Sequence, residues 1–319
     1  MQEFSIAIHG GAGTILKTDL TPEQETAYLR GLDDALKAGY SILEKGGSAV
    51  DAVTAAVVSL EDCILFNAGR GSVFTKSGTH EMDASIMDGK TLQAGAVTCV
   101  QHVKNPVLLS RTIMENSEHV MLSADGALQF AKEHQLKLEN DDYFFSQFRY
   151  DQWQLVKNEN TAALDHNISS TTFAKATADK EKKFGTVGAV ACDASGNLAA
   201  ATSTGGMTNK NYNRIGDTPI IGSGTYANNQ TCAVSCTGHG ELFIKAVAAY
   251  DVSCLMEYKG CTLQQAMEIV TLDKLVRING EGGMIGVDAK GNIALVFNSE
   301  GMYRGSQKSN GEKLLAIYQ

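Results

Sequence analysis

The chain has 319 residues, with 27 Lys and Arg against 36 Asp and Glu and a formal net charge of −9, a balance that argues against nucleic acid and anionic membranes as main partners. No basic region opens the chain, and no apolar run approaches the ~18 residues a membrane helix needs, so the sequence predicts a soluble, cytoplasmic protein. Its seven cysteines are odd in number and form no CxxC pair, which predicts reduced thiols rather than a disulfide framework. With 32 glycines and only 3 prolines, the turns must rely on positive-φ glycine, which implies much β-structure.

In chain order, residues 4–9 predict a short apolar strand running into Gly10-Gly11-Ala12-Gly13. That run lacks both the GxGxxG spacing and the acidic partner of a dinucleotide fingerprint, so NAD is discounted. Thr21-Pro22-Glu23-Gln24 supplies an N-cap, a first-turn proline and a capping-box Gln for a helix to about Lys45. Ser48 and Asp51 repeat the capping logic for a second helix to Glu61, with Val53, Ala56, Val57 and Leu60 on helical spacing. The two helices are expected to form one layer. Residues 82–87 and 92–100 flank Asp88-Gly89 as a hairpin, Pro106 opens another helix, and residues 141–157 predict one more.

Residues 158–184 change character, with Asn, Thr, Ser and Ala dominant and Lys175, Lys180, Lys182 and Lys183 clustered near the end. This reads as a linker far longer than the usual ~4–6 residues of a loop. Beyond it, residues 186–192 and 198–204 flank the turn Asp193-Ala194-Ser195-Gly196-Asn197. The same turn grammar returns at Asp288-Ala289-Lys290-Gly291-Asn292, between strands at 284–287 and 293–297, predicting two sheets of similar build. A strand at 231–236 and helices at 239–258 and 262–278 lie between them. The order of elements predicts an α+β fold in four layers, helices, strands, strands and helices.

The first candidate for chemistry is Thr186, which follows Gly185 and opens a strand directly after the polar segment. Thr is a common strand residue for structural reasons alone, but pairing Asp193 with Asn197 puts Thr186 opposite Thr204, so that two hydroxyls meet across one strand pair. A bulge at Gly196 would shift that register by one residue. Arg214 and Asp217 lie three residues apart on a glycine-bounded loop; they either hold the carboxylate and ammonium of an amino acid or bridge each other at the surface. Thr237-Gly238-His239-Gly240-Glu241 ends a strand and opens a helix, a place for an oxyanion hole. His239, alone among glycines, reads as a capping or surface residue rather than a base.

Six segments in order, His9-Gly10-Gly11-Ala12-Gly13, Phe66-Asn67-Ala68-Gly69, Met82-Asp83-Ala84-Ser85, Gly185-Thr186-Val187-Gly188, residues 201–206 and Ser235-Cys236-Thr237-Gly238, resemble the plant-type asparaginase/isoaspartyl peptidase family of N-terminal nucleophile hydrolases. The resemblance runs from residue 6 to about 300, with bacterial isoaspartyl dipeptidases the nearest likeness. It implies an αββα sandwich, self-cleavage into residues 1–185 and 186–319 that remain one structural domain, and a dimer of two-fragment protomers. It implies hydrolysis of β-aspartyl dipeptides and L-asparagine without a catalytic cofactor. Carried over by position, Thr186 is the nucleophile and Thr204 the hydroxyl bonded to it. Arg214 and Asp217 grip the substrate's α-groups, Thr237 and Gly238 form the oxyanion hole, and Gly240 lines the pocket. The resemblance also implies a structural sodium ion held by the main-chain carbonyls of Leu60, Glu61, Cys63, Phe66, Ala68 and Arg70. One departure is His239, where many relatives carry a small residue.

Elementary chemistry agrees with the nucleophile. A Thr released at a chain end carries an α-amine with a pKa near 8, a built-in base at neutral pH, and its β-methyl restricts χ1 and aims the hydroxyl. A glycosylasparaginase and an uncleaved, non-catalytic relative are the alternative readings of the same residues.

Overall fold

The computed structural model describes residues 3–158 and 185–319; residues 159–184 of the segment read as a linker lie outside the described residues. β1 (Ser5–Gly13) is buried throughout and continues across the glycine run instead of ending before it. A bulge between His9 and Gly11 takes up the positive φ of Gly11 (112°), after which pairing with a late strand resumes at Tyr303. α1 (Pro22–Glu44) and α2 (Ala49–Asp62) begin where their caps place them. The Thr21 hydroxyl accepts the Gln24 N–H while the Gln24 side chain accepts the Thr21 N–H, and Ser48 accepts the Asp51 N–H. The helices approach closely at Gly39, where a Cβ would lie 2.3 Å from Ile6 Cδ1 and 2.8 Å from the Ala52 carbonyl oxygen.

β2 (Met82–Asp88) and β3 (Ala94–Val100) form the expected hairpin, followed by α3 (Pro106–Asn116), β4 (Met121–Ser123) and α4 (Ala124–Glu133). The single helix expected over 141–157 is instead two, α5 (Asp141–Phe144) and α6 (Gln147–Val156), because Phe145 and Ser146 are extended. β5 (Val187–Cys192) and β6 (Leu198–Thr204) pair with Val187 opposite Ser203 and Cys192 opposite Leu198, the unshifted register, with Gly196 at φ 77° adding no bulge.

β7 (Thr225–Ala227), β8 (Cys232–Gly238), β9 (Gly282–Asp288) and β10 (Ile293–Phe297) complete a second sheet, whereas β11 (Gly301–Lys308) and β12 (Lys313–Tyr318), which the sequence reading did not foresee, return to the first. The first sheet has eight strands in the order β12-β11-β1-β5-β6-β2-β3-β4, and the second four, β10-β9-β8-β7. The two hairpins of like turn grammar therefore sit in different sheets, but the sheets are unequal in size. In the first sheet β1 lies between β11 and β5, and β6 between β5 and β2, so strands from before and after the 159–184 segment are interleaved.

The helix expected at 239–258 is split into α7 (Gly240–Ala246) and α8 (Ala248–Lys259) by Val247, left-handed at φ 49°. That conformation is strained for a β-branched residue. It is offset by the N–H groups of Ala249 and Tyr250, which bond to the carbonyls of Ser223 (3.2 Å) and Gly222 (2.7 Å) and anchor the helix to the loop before β7. α9 (Leu263–Glu268) widens into a π-helical turn at Ile269–Lys274 before α10 (Leu275–Arg277).

Strand alternation builds the core. Ile6 and Ile8 of β1 and Ala189 of β5 face Leu32, Leu36, Val53 and Val57 of α1 and α2, whereas Ala7, Val190 and Cys192 face Ala233, Ile285 and Val287 of the second sheet. The other face of that sheet, at Val234, Cys236 and Met284, is covered by Phe243, Val252 and Met267. Each fully buried aliphatic or aromatic side chain contributes roughly 1.5–3 kcal/mol. Among the described residues, no helix is long and apolar enough to cross a membrane.

Candidate active site

The β5–β6 register carries one step past the end of β5 and brings Thr186 to Thr204. The Thr186 hydroxyl donates to Thr204 Oγ1 (3.3 Å), and the Thr204 hydroxyl donates to the Gly185 carbonyl (3.0 Å) while accepting the Gly206 N–H (3.0 Å). The same Gly185 oxygen accepts a second bond from Asn67 Nδ2 (3.0 Å). The peptide bond ahead of Thr186 thus has two donors on its oxygen, and the next residue's hydroxyl is linked to one of them.

Behind Thr186 stands His9, fully buried in β1, with Nδ1 3.0 Å from the Thr186 carbonyl and Nε2 2.9 Å from Ser235 Oγ. Because a carbonyl only accepts, Nδ1 carries the proton and Nε2 accepts from Ser235. Burial pulls the His9 pKa down to about 3, so the ring is neutral and serves as a spacer between sheets rather than a charge. The chain of hydroxyls continues from Ser235 to Thr202 (2.7 Å). Gly188 makes room for this contact, since a Cβ there would lie 2.0 Å from Ser235 Oγ and 2.5 Å from His9 Nε2.

Thr186, Thr204, Arg214, Asp217, Gly238 and Gly240 line one small cleft. The surface bridge between Arg214 and Asp217 is not the pairing found. Arg214 Nε and Nη2 donate to Glu241 Oε1 and Oε2, both at 2.8 Å, a bidentate contact that holds the guanidinium flat and leaves three of its five N–H donors for other partners. Asp217 is buried, its Oδ2 has no hydrogen-bond partner among the described residues, and burial pushes its pKa up to about 7 against the pull of Arg214. A Cβ on Gly240 would lie 2.9 Å from Arg214 Nη2 and 3.0 Å from Asp217 Oδ1, so the missing side chain keeps the space between the two open. Thr237 is fully buried, its Oγ1 accepting the Ala12 N–H (3.3 Å), which ties the glycine run of β1 to the end of β8. His239 occupies the N-cap of α7, and its Nε2 lies 3.3 Å from Glu241 Oε2.

A family model described as asparaginase matches residues 2–317. The chain belongs to the asparaginase family. Among its curated relatives, the isoaspartyl peptidase of Salmonella typhimurium is 52% identical over 304 residues, 95% of each chain. The isoaspartyl peptidase of Escherichia coli is 50% identical over 304 residues, 95% of this chain and 92% of that one. The isoaspartyl peptidase/L-asparaginase of Homo sapiens is 41% identical over 298 residues, 93% of this chain and 91% of that one.

For this asparaginase-family chain, the sequence reading passed over three side chains that the fold brings to the Gly185–Thr186 peptide and its support: Asn67, His9 and Ser235. All three lie inside segments that carried the resemblance, and their signal was that membership; the bonds from Asn67 to Gly185, from His9 to Thr186 and from His9 to Ser235 span 118 to 226 residues. Glu241 was likewise visible only as the residue after Gly240. Leu60, Glu61, Cys63, Phe66, Ala68 and Arg70 lie at the end of α2 and in the tight loop that follows it. There the Glu61 side chain has its own place, with Oε1 accepting from Ser203 Oγ (2.6 Å) and Val107 N–H (2.9 Å), and burial pushes its pKa up to about 8.

Proposed function

We propose that the chain is a self-processing amidohydrolase that cuts itself before Thr186, then uses that N-terminal threonine to hydrolyse β-aspartyl dipeptides and L-asparagine at the side-chain carbonyl. The observation that carries this reading is the continuous path from the Thr186 hydroxyl through Thr204 to the Gly185 carbonyl, set in the same cleft as Arg214 and Asp217. In the first step Thr186 Oγ1 bonds to the Gly185 carbonyl carbon, and its proton passes by way of Thr204. Asn67 and Thr204 donate to the oxygen as it gains charge. The C–N bond then breaks with the proton going to the nitrogen, and water opens the resulting ester to a Gly185 carboxylate and a free Thr186 amine.

That amine, with a pKa near 8, takes the hydroxyl proton in each later turnover. A substrate α-carboxylate fits the N–H groups of Arg214 left over from Glu241, and its α-ammonium fits the unpartnered Asp217 Oδ2. Thr237 and Gly238, at the end of β8, serve as the oxyanion side of the cleft. The four-layer αββα sandwich of the N-terminal nucleophile hydrolases accommodates this machinery, with α1 and α2 outside one sheet and α7–α10 outside the other. The interleaved strands support a single domain that outlives the cut. A dimer of two-fragment protomers is the assembly this reading carries.

The loop after α2 fits a structural sodium ion. A Cβ on Gly69 would lie 2.6 Å from the Glu61 carbonyl oxygen and one on Gly71 2.0 Å from that of Phe66, so the glycines let the chain pass close to these oxygens, and uncharged oxygen donors suit a hard cation. The carbonyls of Leu60, Glu61, Cys63, Phe66, Ala68 and Arg70 would hold it, and it would supply loop rigidity rather than chemistry.

Two expected results follow from the grips. With the α-groups held, only the side-chain carbonyl faces Thr186, whereas an α-linked aspartyl peptide lacks a free α-carboxylate on that residue and forfeits charge-assisted contacts. Matched assays should therefore show turnover of β-Asp-Leu and asparagine but not α-Asp-Leu; equal turnover of the two linkages would refute the reading. The second concerns pH. Below about 7 Asp217 is protonated in the free site, so binding an ammonium must expel a proton. KM should rise about tenfold per pH unit there, separately from the fall in kcat as the Thr186 amine becomes protonated below about 8. A KM flat from pH 5.5 to 7.5 would remove Asp217 from the ammonium site.

A further inference from the structure

We propose that Arg149 is a positioning residue for self-cleavage, holding the loop that brings Asn67 to the Gly185 carbonyl; this rests on the self-processing reading above. Arg149 projects from α6 and is 1% exposed, the largest of the fully buried side chains among the described residues. Its Nε donates to the Gly71 carbonyl (3.1 Å) and its Nη2 to the Leu65 carbonyl (3.4 Å), while Nη1 donates to Gln152 Oε1 (3.1 Å), three residues along α6. The guanidinium also lies 5.3 Å from the centre of the Phe148 ring. Burial pulls its pKa down to about 10, which leaves it a cation at neutral pH.

Leu65 and Gly71 bracket Asn67. Between them, the Asn67 side chain donates from Nδ2 to Gly185 (3.0 Å) and Gly206 (2.7 Å) and accepts the Val73 N–H at Oδ1 (3.1 Å), while its carbonyl accepts the Gly205 N–H (3.0 Å). A hydrogen bond near 3.0 Å is lost if its ends part by much more than half an ångström, so the bond to Gly185 depends on where this short arc is pinned. A rigid planar fork can hold two carbonyls at once, which a single ammonium cannot reproduce.

The origin of the fork matters as much as its target. α6 ends at Val156, just ahead of the 159–184 segment that leads to the bond to be cut, and the Val156 carbonyl accepts Asn209 Nδ2 (2.9 Å). The helix preceding that segment is therefore fastened at Arg149 to the loop that polarises Gly185, and at Val156 to the loop after β6. The donors on the scissile carbonyl are aligned when α6 is seated.

The test follows conversion of intact chain to fragments, by denaturing gel and intact mass, in wild type, Arg149→Met, Arg149→Lys, Asn67→Ala and the Arg149→Met/Asn67→Ala double variant, with Tm measured on each. Arg149→Met fills the space without donors and should slow conversion roughly tenfold, and Asn67→Ala, which removes a donor from the oxygen, about a hundredfold. Because Arg149 acts through Asn67, the double variant should be no slower than Asn67→Ala alone, an outcome that general destabilisation does not produce. Arg149→Lys keeps the charge and a single donor nitrogen in place of the fork and should slow conversion roughly threefold, which keeps the proposal testable if the Met variant does not fold. Wild-type rates in either Arg149 variant, or a double variant slowed by the product of the two single effects, would overturn the role of Arg149. A wild-type chain that stays intact would instead overturn the self-processing reading itself.

Discussion

Thr186→Ala is expected to remain a single chain of 34.0 kDa with no hydrolytic activity, while the wild type separates on a denaturing gel into pieces of about 20 and 14 kDa, in proportion to 185 and 134 of its 319 residues. The replacement removes the hydroxyl proposed to attack the Gly185 carbonyl and leaves that carbonyl's two donors, Thr204 and Asn67, in place. Donors alone do not break an amide bond, so both the processing step and every later turnover are lost together. The wild-type pieces should nevertheless run as one species under native conditions, since β1 lies between β11 and β5 in the first sheet and parting them would strip two rows of backbone hydrogen bonds from buried strands. Thr186→Ser should still process, more slowly, because it lacks the methyl group that restricts χ1. Fragments at residue 185 in Thr186→Ala would mean that some other group cuts the chain.

Arg214→Ala is expected to reduce kcat/KM by about 2–5 kcal/mol, roughly thirtyfold to several thousandfold, the scale for losing a buried charge partner of a bound ion. Self-cleavage should proceed as in the wild type, because no bond to Gly185 or Thr186 involves Arg214. The melting temperature should change little: the Glu241 side chain left behind is 41% exposed, so water can solvate the freed carboxylate. Arg214→Lys should rescue only part of the loss, since an ammonium cannot hold both Glu241 oxygens and still present a flat edge to a substrate carboxylate. Arg214 and Glu241 are coupled, so Glu241→Gln should raise KM more than it lowers kcat. Unfolding of Arg214→Ala, in contrast, would make the pair structural.

Features set by neighbours in the chain are legible in the sequence alone. The caps at Thr21 and Ser48, the proline starts of α1 and α3, and the five-residue turn from Asp193 to Asn197 all depend on contacts within one or two turns of backbone. Because side chains alternate along a strand with period two, that local turn also carried the long inference that Thr186 meets Thr204. Composition supplied the free thiols and the abundance of strands.

Other features had no local signature. β11 and β12, with glycine, serine and charged residues among their apolar positions, are strands because β1 offers β11 a buried edge. Val247 breaks a run of helix-forming residues because Gly222 and Ser223 compete for its neighbours' N–H groups. Arg214 turned from Asp217 to Glu241, and His9 found Ser235 across 226 residues, through an order of strands that no spacing in the chain encodes. The raised pKa of Asp217 and the neutrality of His9 belong to the tertiary structure for the same reason: both come from burial, and the free energy of a charge depends on how much water the whole fold leaves around it.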